Sequence, residues 1–203
     1  GVKGYQLDKR TQDSRETWEK RYKAPNYQPN MKPIPFLVEM IQGLPPGQAI
    51  CLAAGTGRNA IFLAQSGYQV TAIDISQAAL HWCDKMSDKL GVEVKTLEAD
   101  LLAFDFGNEV WDLATNLYFY EPAIFQGLKQ AIRPGGHILF QTYSKAQKKF
   151  GKGPNNDAFL VHPKELENAF RDWELIYFEE KEYTDEQNKK ESVIQMLARK
   201  PKG

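Results

Sequence analysis

From residue 48 onward the chain keeps one rhythm: a short apolar run, a break rich in Gly or polar residues, a helical stretch, and another apolar run. The apolar runs are residues 49–53, 69–73, 92–97, 111–117 and 137–143, and the helical stretches between them are 58–66, 76–90 and 121–132. Strands that alternate with helices of about 10–15 residues imply right-handed crossovers and a parallel sheet. After a further helix over 163–170 the rhythm changes. Two strand-like runs, 174–181 and 192–199, are separated only by residues 182–191, which carry no apolar helical period. That spacing fits a hairpin, which places an antiparallel strand in the sheet. The expected fold is a single-domain α/β, Rossmann-like, seven-stranded and mostly parallel sheet with an antiparallel final strand in a C-terminal hairpin.

The stretch before residue 48 has another texture. Residues 13–22 suit a short helix that sets Trp18 and Tyr22 one turn apart. Pro25, Pro29, Pro33 and Pro35 then enforce extended chain, and 36–42 suit a second short helix closed by Gly43. The expected organisation is therefore an N-terminal helical and Pro-rich lid over 1–47 on an α/β core over 48–203. At 203 residues, one full core is the natural outcome.

Charge and composition remove several classes of function. Lys plus Arg and Asp plus Glu number 26 each, which gives no electrostatic footprint for nucleic acid or an anionic membrane. Lys145, Lys148, Lys149 and Lys152 form a local basic run of the kind expected in a solvated loop. No apolar run approaches the roughly 18 residues of a membrane span, and residues 1–5 lack the apolar stretch of a secretory signal. Cys51 and Cys83 make neither a disulfide framework nor a zinc site. They read as buried, reduced thiols, and the default setting is cytoplasmic.

The chemistry lies at the strand ends. Ala53-Ala54-Gly55-Thr56-Gly57-Arg58-Asn59 follows the first strand and opens a helix. Glycines there let the backbone turn tightly and approach a ligand, and the helix start offers free N–H groups. Asp74 ends the second strand, 19 residues after Gly55, and Ile75 follows it. A carboxylate at that place either caps the next helix or accepts the hydroxyls of a ribose, and the glycine turn beside it favours ribose. After the third strand, Asp100 reads either as a turn residue or as a partner for an adenine amino group, with Leu101 against the ring.

These segments carry a resemblance. Trp18-Glu19-Lys20-Arg21-Tyr22, the GTGRN turn at 55–59, Tyr68 to Asp74, Glu98-Ala99-Asp100-Leu101 and Arg133-Pro134-Gly135-Gly136 resemble class I S-adenosylmethionine-dependent methyltransferases. With Pro163-Lys164-Glu165-Leu166, Trp173-Glu174 and Met196 to Lys200, the chain looks like the small tellurite-resistance-type family. The resemblance implies S-adenosylmethionine as cofactor and S-adenosylhomocysteine as product. It implies a cofactor site made from Ala53, Ala54, Gly55, Thr56, Gly57, Asn59, Asp74, Ile75, Asp100, Leu101, Asn116 and Leu117. Two departures stand out. Cys51 occupies the place of the family's acidic residue, and Ala53 that of its first glycine. One polar anchor for the cofactor's amino-acid end is therefore absent, and Asn59 and Asn116 are the residues that would replace it. The final hairpin, 174–198, supplies no His and no Arg for an oxyanion.

Two rivals have to be weighed. Gly55-x-Gly57-x-x-Ala60 with Asp74 also fits an NAD(P)-dependent oxidoreductase. Only about 60 residues follow the fifth strand, however, which leaves little for a substrate domain, and no Tyr and Lys lie four apart on a helix. The other rival is a non-catalytic S-adenosylmethionine-binding protein, since fold does not fix function.

On the acceptor side, Asn116, Tyr118 and Tyr120 leave the fourth strand where the methyl group should lie. Trp18 and Tyr22 suit either a lid over the cofactor or plain packing. Residues 147–161 suit a substrate lid. Of His81, His137 and His162 only His162 can reach the strand ends, and it also suits a plain helix start. The candidate catalytic residues are thus Tyr118, Tyr120 and His162. With no positioned histidine, the expected acceptor is a small thiolate, phenolate or soft anion that needs no base.

Overall fold

A computed structural model describes residues 9–151, 153–154, 159–185 and 187–203, with side chains from residue 12. Seven strands form one sheet in the order β3-β2-β1-β4-β5-β7-β6. They are β1 (Gln48–Leu52), β2 (Gln69–Asp74), β3 (Val94–Glu98), β4 (Trp111–Leu117), β5 (Ile132–Tyr143), β6 (Glu174–Thr184) and β7 (Lys190–Arg199). The first five are parallel, and β7 runs antiparallel to both β5 and β6. The expected sheet and hairpin are both present.

Alternate residues of the central strands feed two separate cores. Leu113 of β4 and Leu139 of β5 face the side covered by α2 (Pro35–Met40), α3 (Arg58–Gln65) and α4 (Gln77–Leu90). Ala114, Ile138 and Phe140 face the side covered by α5 (Phe125–Ala131) and α6 (Pro163–Ala169). Burial on both faces is why these strands read as apolar runs with no polar alternation. The edge strand β6 is largely exposed and carries Glu179, Glu180, Lys181 and Glu182, charges that disfavour pairing with another chain.

Several boundaries differ from the sequence reading. The helix expected over 121–132 is a 3-10 turn, Pro122–Ile124, followed by the shorter α5. Strand β5 begins at Ile132 and runs through Pro134-Gly135-Gly136, where β4 shifts register between Trp111 and Leu113. A proline is tolerated in a strand at such an irregularity because no ladder bond is lost there. The expected lid over 147–161 starts inside a 3-10 segment, Lys145–Phe150. Gln147 is fully buried and its Oε1 accepts from the Ser192 N–H at 2.6 Å, so the start of the segment is pinned to β7. Residues 152 and 155–158 of that lid lie outside the described residues.

The first helix, α1 (Lys9–Lys23), is longer than the 13–22 expected and docks on the start of α4. Glu19 Oε1 accepts from the Ser76 hydroxyl at 2.7 Å and from the Ala78 N–H at 2.9 Å, and the Trp82 indole N–H donates to Tyr22 O at 3.1 Å. These bonds place Tyr22 beside the turn that follows β1, with Trp18 stacked on its ring.

Candidate active site

The crevice of a doubly wound sheet lies at the carboxyl ends of its parallel strands, where the chain order reverses about β1. Strand β1 ends in Leu52 and the chain turns at Ala53 (φ 49°), Gly55 (φ 58°) and Gly57 (φ 91°) before α3. A side chain on Gly57 would stand 2.3 Å from Cys83 Sγ, so the turn packs too closely on α4 to admit one. Cys83 is therefore a packing residue against the glycine turn. Cys51 is buried in β1, and both thiols are free. Burial pushes the Cys51 thiol up to about 12 and the Cys83 thiol up to about 11, so both stay protonated.

Asp74, at the end of β2, ties this turn down. Its Oδ2 accepts from the Gly55 N–H at 2.8 Å and its Oδ1 from the Ser76 N–H at 2.9 Å. Burial pushes its carboxyl up, against the backbone N–H bonds that favour the charge. Capping of α4 falls to Ser76, whose Oγ accepts from the Ala79 N–H at 3.1 Å. Asp74 is thus a buried carboxylate facing the turn, with a carboxylate's further lone pairs available to other donors. Tyr22 covers the spot: its hydroxyl lies 3.4 Å from where a Gly55 side chain would begin. Burial and the charge of Asp74 push the Tyr22 phenol well above its ordinary range. Trp18 stacks on the Tyr22 ring at 5.8 Å, and the Arg21 guanidinium lies 4.9 Å from the centre of the Trp18 ring.

Next along the edge, beyond β3, a cleft of about 340 Å3 is lined by Arg15, Glu98, Ala99, Asp100, Ala103, Phe104 and Asp105. Arg15 of α1 closes it by pairing with Glu98 at 3.2 Å and donating to Ile75 O at 3.2 Å. Asp100 Oδ1 accepts from the Leu102 N–H at 3.0 Å, which is the turn role, and Leu101 is buried.

On the other side of the glycine turn, Leu52 pairs with Asn116 of β4. Asn116 is fully buried: its Nδ2 donates to Phe119 O at 2.6 Å, while its Oδ1 has no partner among the described residues. A buried carbonyl oxygen without a donor is costly, so this atom suits a ligand N–H. Leu117 is core. Asn59, expected at the cofactor, has its Oδ1 taken by the Ile34 N–H at 2.9 Å; it fastens the Pro-rich segment to α3.

The three candidate catalytic residues do not meet. Tyr118 adopts φ 53°, which swings its ring to β5 and β7. Its hydroxyl lies 3.0 Å from the Tyr183 hydroxyl, 2.9 Å from Gln141 Nε2 and 3.4 Å from Glu191 Oε2. Tyr120 instead packs on Phe125 and Phe140 and donates to Glu165 of α6 at 3.2 Å. His162 is exposed and caps α6, its Nδ1 accepting from the Lys164 N–H at 3.1 Å. Tyr143, Tyr183 and Glu191 meet Tyr118 here without a local signal in the sequence, since a carboxylate among charged edge residues does not stand out.

Comparison with known proteins bears on this geometry. Residues 49–136 match the methyltransferase domain family. The chain is 31% identical over 180 residues to Hemagglutinin 1 of Eikenella corrodens, covering 80% of this chain and 58% of that protein. It is 23% identical over 176 residues to the probable S-adenosyl-L-methionine-dependent methyltransferase TehB of Haemophilus influenzae, covering 81% and 61%. The chain thus spans about three fifths of the length of these curated relatives. The crystal structure of that TehB superposes with a TM-score of 0.69 at 22% identity, over 92% of this chain and 66% of the other. A structure from work on conversion of a disulfide bond into a thioacetal group during echinomycin biosynthesis superposes at 0.73 and 20% identity, over 94% and 93%. At such identities the superpositions speak for the fold.

Proposed function

Since the chain belongs to the class I S-adenosylmethionine-dependent methyltransferases and is related to TehB, we propose that it transfers a methyl group from S-adenosylmethionine to a small-molecule nucleophile. The observation that carries this reading is Asp74, a buried carboxylate bonded to the glycine turn and roofed by Tyr22. When bound, the cofactor supplies a methyl group on a positively charged sulfur and leaves as S-adenosylhomocysteine.

The protein's own work in such a displacement is alignment and exclusion of water. Asp74 would take the ribose hydroxyls. Asp100, Leu101 and the cleft beside Phe104 would take the adenine. The turn at Gly55–Gly57 and the Asn116 oxygen would hold the amino-acid end, and Trp18 and Tyr22 would close over it. Tyr118 would face the acceptor. A small acceptor agrees with the balanced charge, which offers no polyanion surface. The reduced thiols agree with a cytoplasmic setting.

Titration calorimetry with S-adenosylmethionine and with NADH tests the reading. Micromolar S-adenosylmethionine binding with no heat from NADH is the expected result. The reverse preference sinks it in favour of a dehydrogenase, and binding without S-adenosylhomocysteine release on any acceptor favours the non-catalytic protein.

A further inference from the structure

Past the cofactor strands, the carboxyl edge continues through β4 and β5 to the start of β7. Four segments far apart in sequence bring three tyrosines, two glutamines and a glutamate together there. Gln195 Nε2 donates to Gln141 Oε1 at 3.0 Å, and Gln141 Nε2 donates to the Tyr118 hydroxyl at 2.9 Å. Tyr183 donates its hydroxyl proton to Glu191 Oε2 at 2.6 Å. That proton being spent, Tyr118 is the donor in its 3.0 Å contact with Tyr183. Every link of the chain Gln195, Gln141, Tyr118, Tyr183, Glu191 therefore points its hydrogen toward the carboxylate. Tyr143 adds a second, longer bond to Glu191 Oε1 at 3.4 Å, and its ring meets that of Tyr118 at 5.1 Å. Glu191 is itself buried.

The position matters as much as the polarity. Asn116 pairs with Leu52 beside the glycine turn, Leu117 pairs with Gln141, and Gln141 pairs with Gln195. With strands about 4.8 Å apart, the cluster stands roughly 10–15 Å along the edge from the turn. The other direction along the same edge is filled by Asp74 and then Asp100. Adenine, ribose and amino-acid sites thus run in strand order toward this cluster, which leaves it the acceptor's place. Tyr118 is held there in the left-handed region, a conformation that a bulky residue adopts only where its surroundings impose it.

Its electrostatics select among acceptors. The phenols of Tyr143 and Tyr183 are pushed far above their ordinary range, first by burial and then by their neighbours, Glu191 among them. Tyr118 is pushed up as well, chiefly by burial. A thiolate, phenolate or oxyanion brought here would meet the same burial and the Glu191 charge, which at Tyr118 outweighs the opposing charge of Arg58.

We infer that this cluster is the acceptor pocket, that Glu191 is its proton acceptor, and that the acceptor is a protic nucleophile, a phenol or a neutral amine, not an anion. The inference rests on the methyl-transfer reading above and replaces the base-free soft anion expected from sequence. In the step, the acceptor's oxygen or nitrogen lone pair forms the bond to the methyl carbon. The carbon–sulfur bond breaks and leaves its electron pair on sulfur. The acceptor's O–H or N–H proton passes to Glu191, directly or as Tyr183 hands over its own and takes the acceptor's, and leaves later to water.

Two measurements test this. Phenol, benzylamine, 2-mercaptoethanol and selenite are titrated calorimetrically into protein saturated with S-adenosylhomocysteine, and are offered as acceptors with S-adenosylmethionine. Phenol or benzylamine should bind and be methylated in preference to the thiol and to selenite. Glu191→Gln, which keeps the side chain's shape, should lower kcat by about 10²–10⁴-fold while S-adenosylmethionine affinity stays within about twofold. Preference for selenite or the thiol, absence of any preference, or wild-type turnover by Glu191→Gln overturns the inference. If that variant does not fold, the wild-type ranking alone decides. Failure of the wild type to bind S-adenosylmethionine overturns the methyl-transfer reading itself, an outcome the calorimeter separates from the others.

Discussion

The two halves of the sheet edge are built in different ways. The β1–β3 half holds its ligand positions with backbone: a glycine turn, the N–H groups of Gly55 and Ser76, and one carboxylate that ties them together. The β4–β7 half is made of side chains that reach across strands, with Tyr118 meeting residues 65 and 73 positions away in sequence. A site made from backbone constrains its residues through conformation, so it tolerates little substitution and suits a ligand that never changes. A site made from side chains is retuned by single substitutions, which suits the part of a methyltransferase that differs between acceptors.

The largest effect should come from breaking the backbone half at its tightest point. In Gly57→Ala the new methyl would meet Cys83 Sγ at 2.3 Å and Cys83 Cβ at 2.9 Å, at a φ of 91°. Overpacking and a left-handed alanine together cost roughly 2–5 kcal/mol. Chemical denaturation should show that loss, and calorimetry should show S-adenosylmethionine binding abolished. A variant with wild-type stability and binding would mean that the turn gives way, contrary to the rigidity described for it.

Asp74→Ala should come next. Loss of the carboxylate leaves two backbone N–H groups without their charged partner and, on the proposed reading, the ribose hydroxyls as well, at a cost to cofactor binding of about 1–3 kcal/mol. The halves then separate cleanly: Asp74→Ala weakens S-adenosylmethionine binding, whereas Glu191→Gln leaves it unchanged. Equal losses from both would show that the cofactor reaches across the whole edge.

This contrast also decides how much the sequence reveals. The fold was legible because each strand is a contiguous apolar run and each crossover a contiguous helix. The half proposed for the cofactor was legible for the same reason, since Gly55, Gly57 and Asp74 lie within 20 residues, in the turn after one strand and at the end of the next. Ala53 was legible as a departure, but its φ of 49° was not. The Pro134-Gly135-Gly136 stop was misread because a proline's tolerance depends on a bulge between β4 and β5 that only pairing reveals. Glu191 is one glutamate in an acidic, lysine-rich hairpin, and nothing local distinguishes it from its exposed neighbours Glu179, Glu180 and Glu182. Its burial is a product of the antiparallel placement of β7 between β5 and β6.

Strain gives a smaller test. Ala53 and Tyr118 both leave their strands in the left-handed region, one in each half. At Ala53 no long side chain depends on that geometry, so Ala53→Gly should relieve about 1 kcal/mol and raise Tm by roughly 2–4 °C. At Tyr118 the same change removes the ring and its bonds, so Tyr118→Gly should destabilise despite the easier backbone. Stabilisation by both would mean that the Tyr118 ring contributes little to the side-chain half.

The smallest expected effect is at His162, on the margin of the side-chain half. Its imidazole is exposed, and its Nδ1 accepts from the Lys164 N–H at 3.1 Å as the first turn of α6 begins at Pro163. The α6 helix brings Leu166 to the core, with Phe170 just after it, so the cap matters through their packing. An exposed cap lies at the weak end of the capping range, and His162→Ala should cost about 0.5 kcal/mol, a fall in Tm of roughly 1–2 °C. His162→Asn, whose side-chain oxygen accepts from the same N–H, should restore it. Turnover should stay within about tenfold of wild type in both variants, since a residue that only caps a helix transfers no proton, whereas a general base is worth about 10²–10⁴-fold. The asparagine variant is the decisive one. It rescues a cap but not a base, so full stability with turnover lowered a hundredfold or more would assign the proton transfer to His162 in place of Glu191.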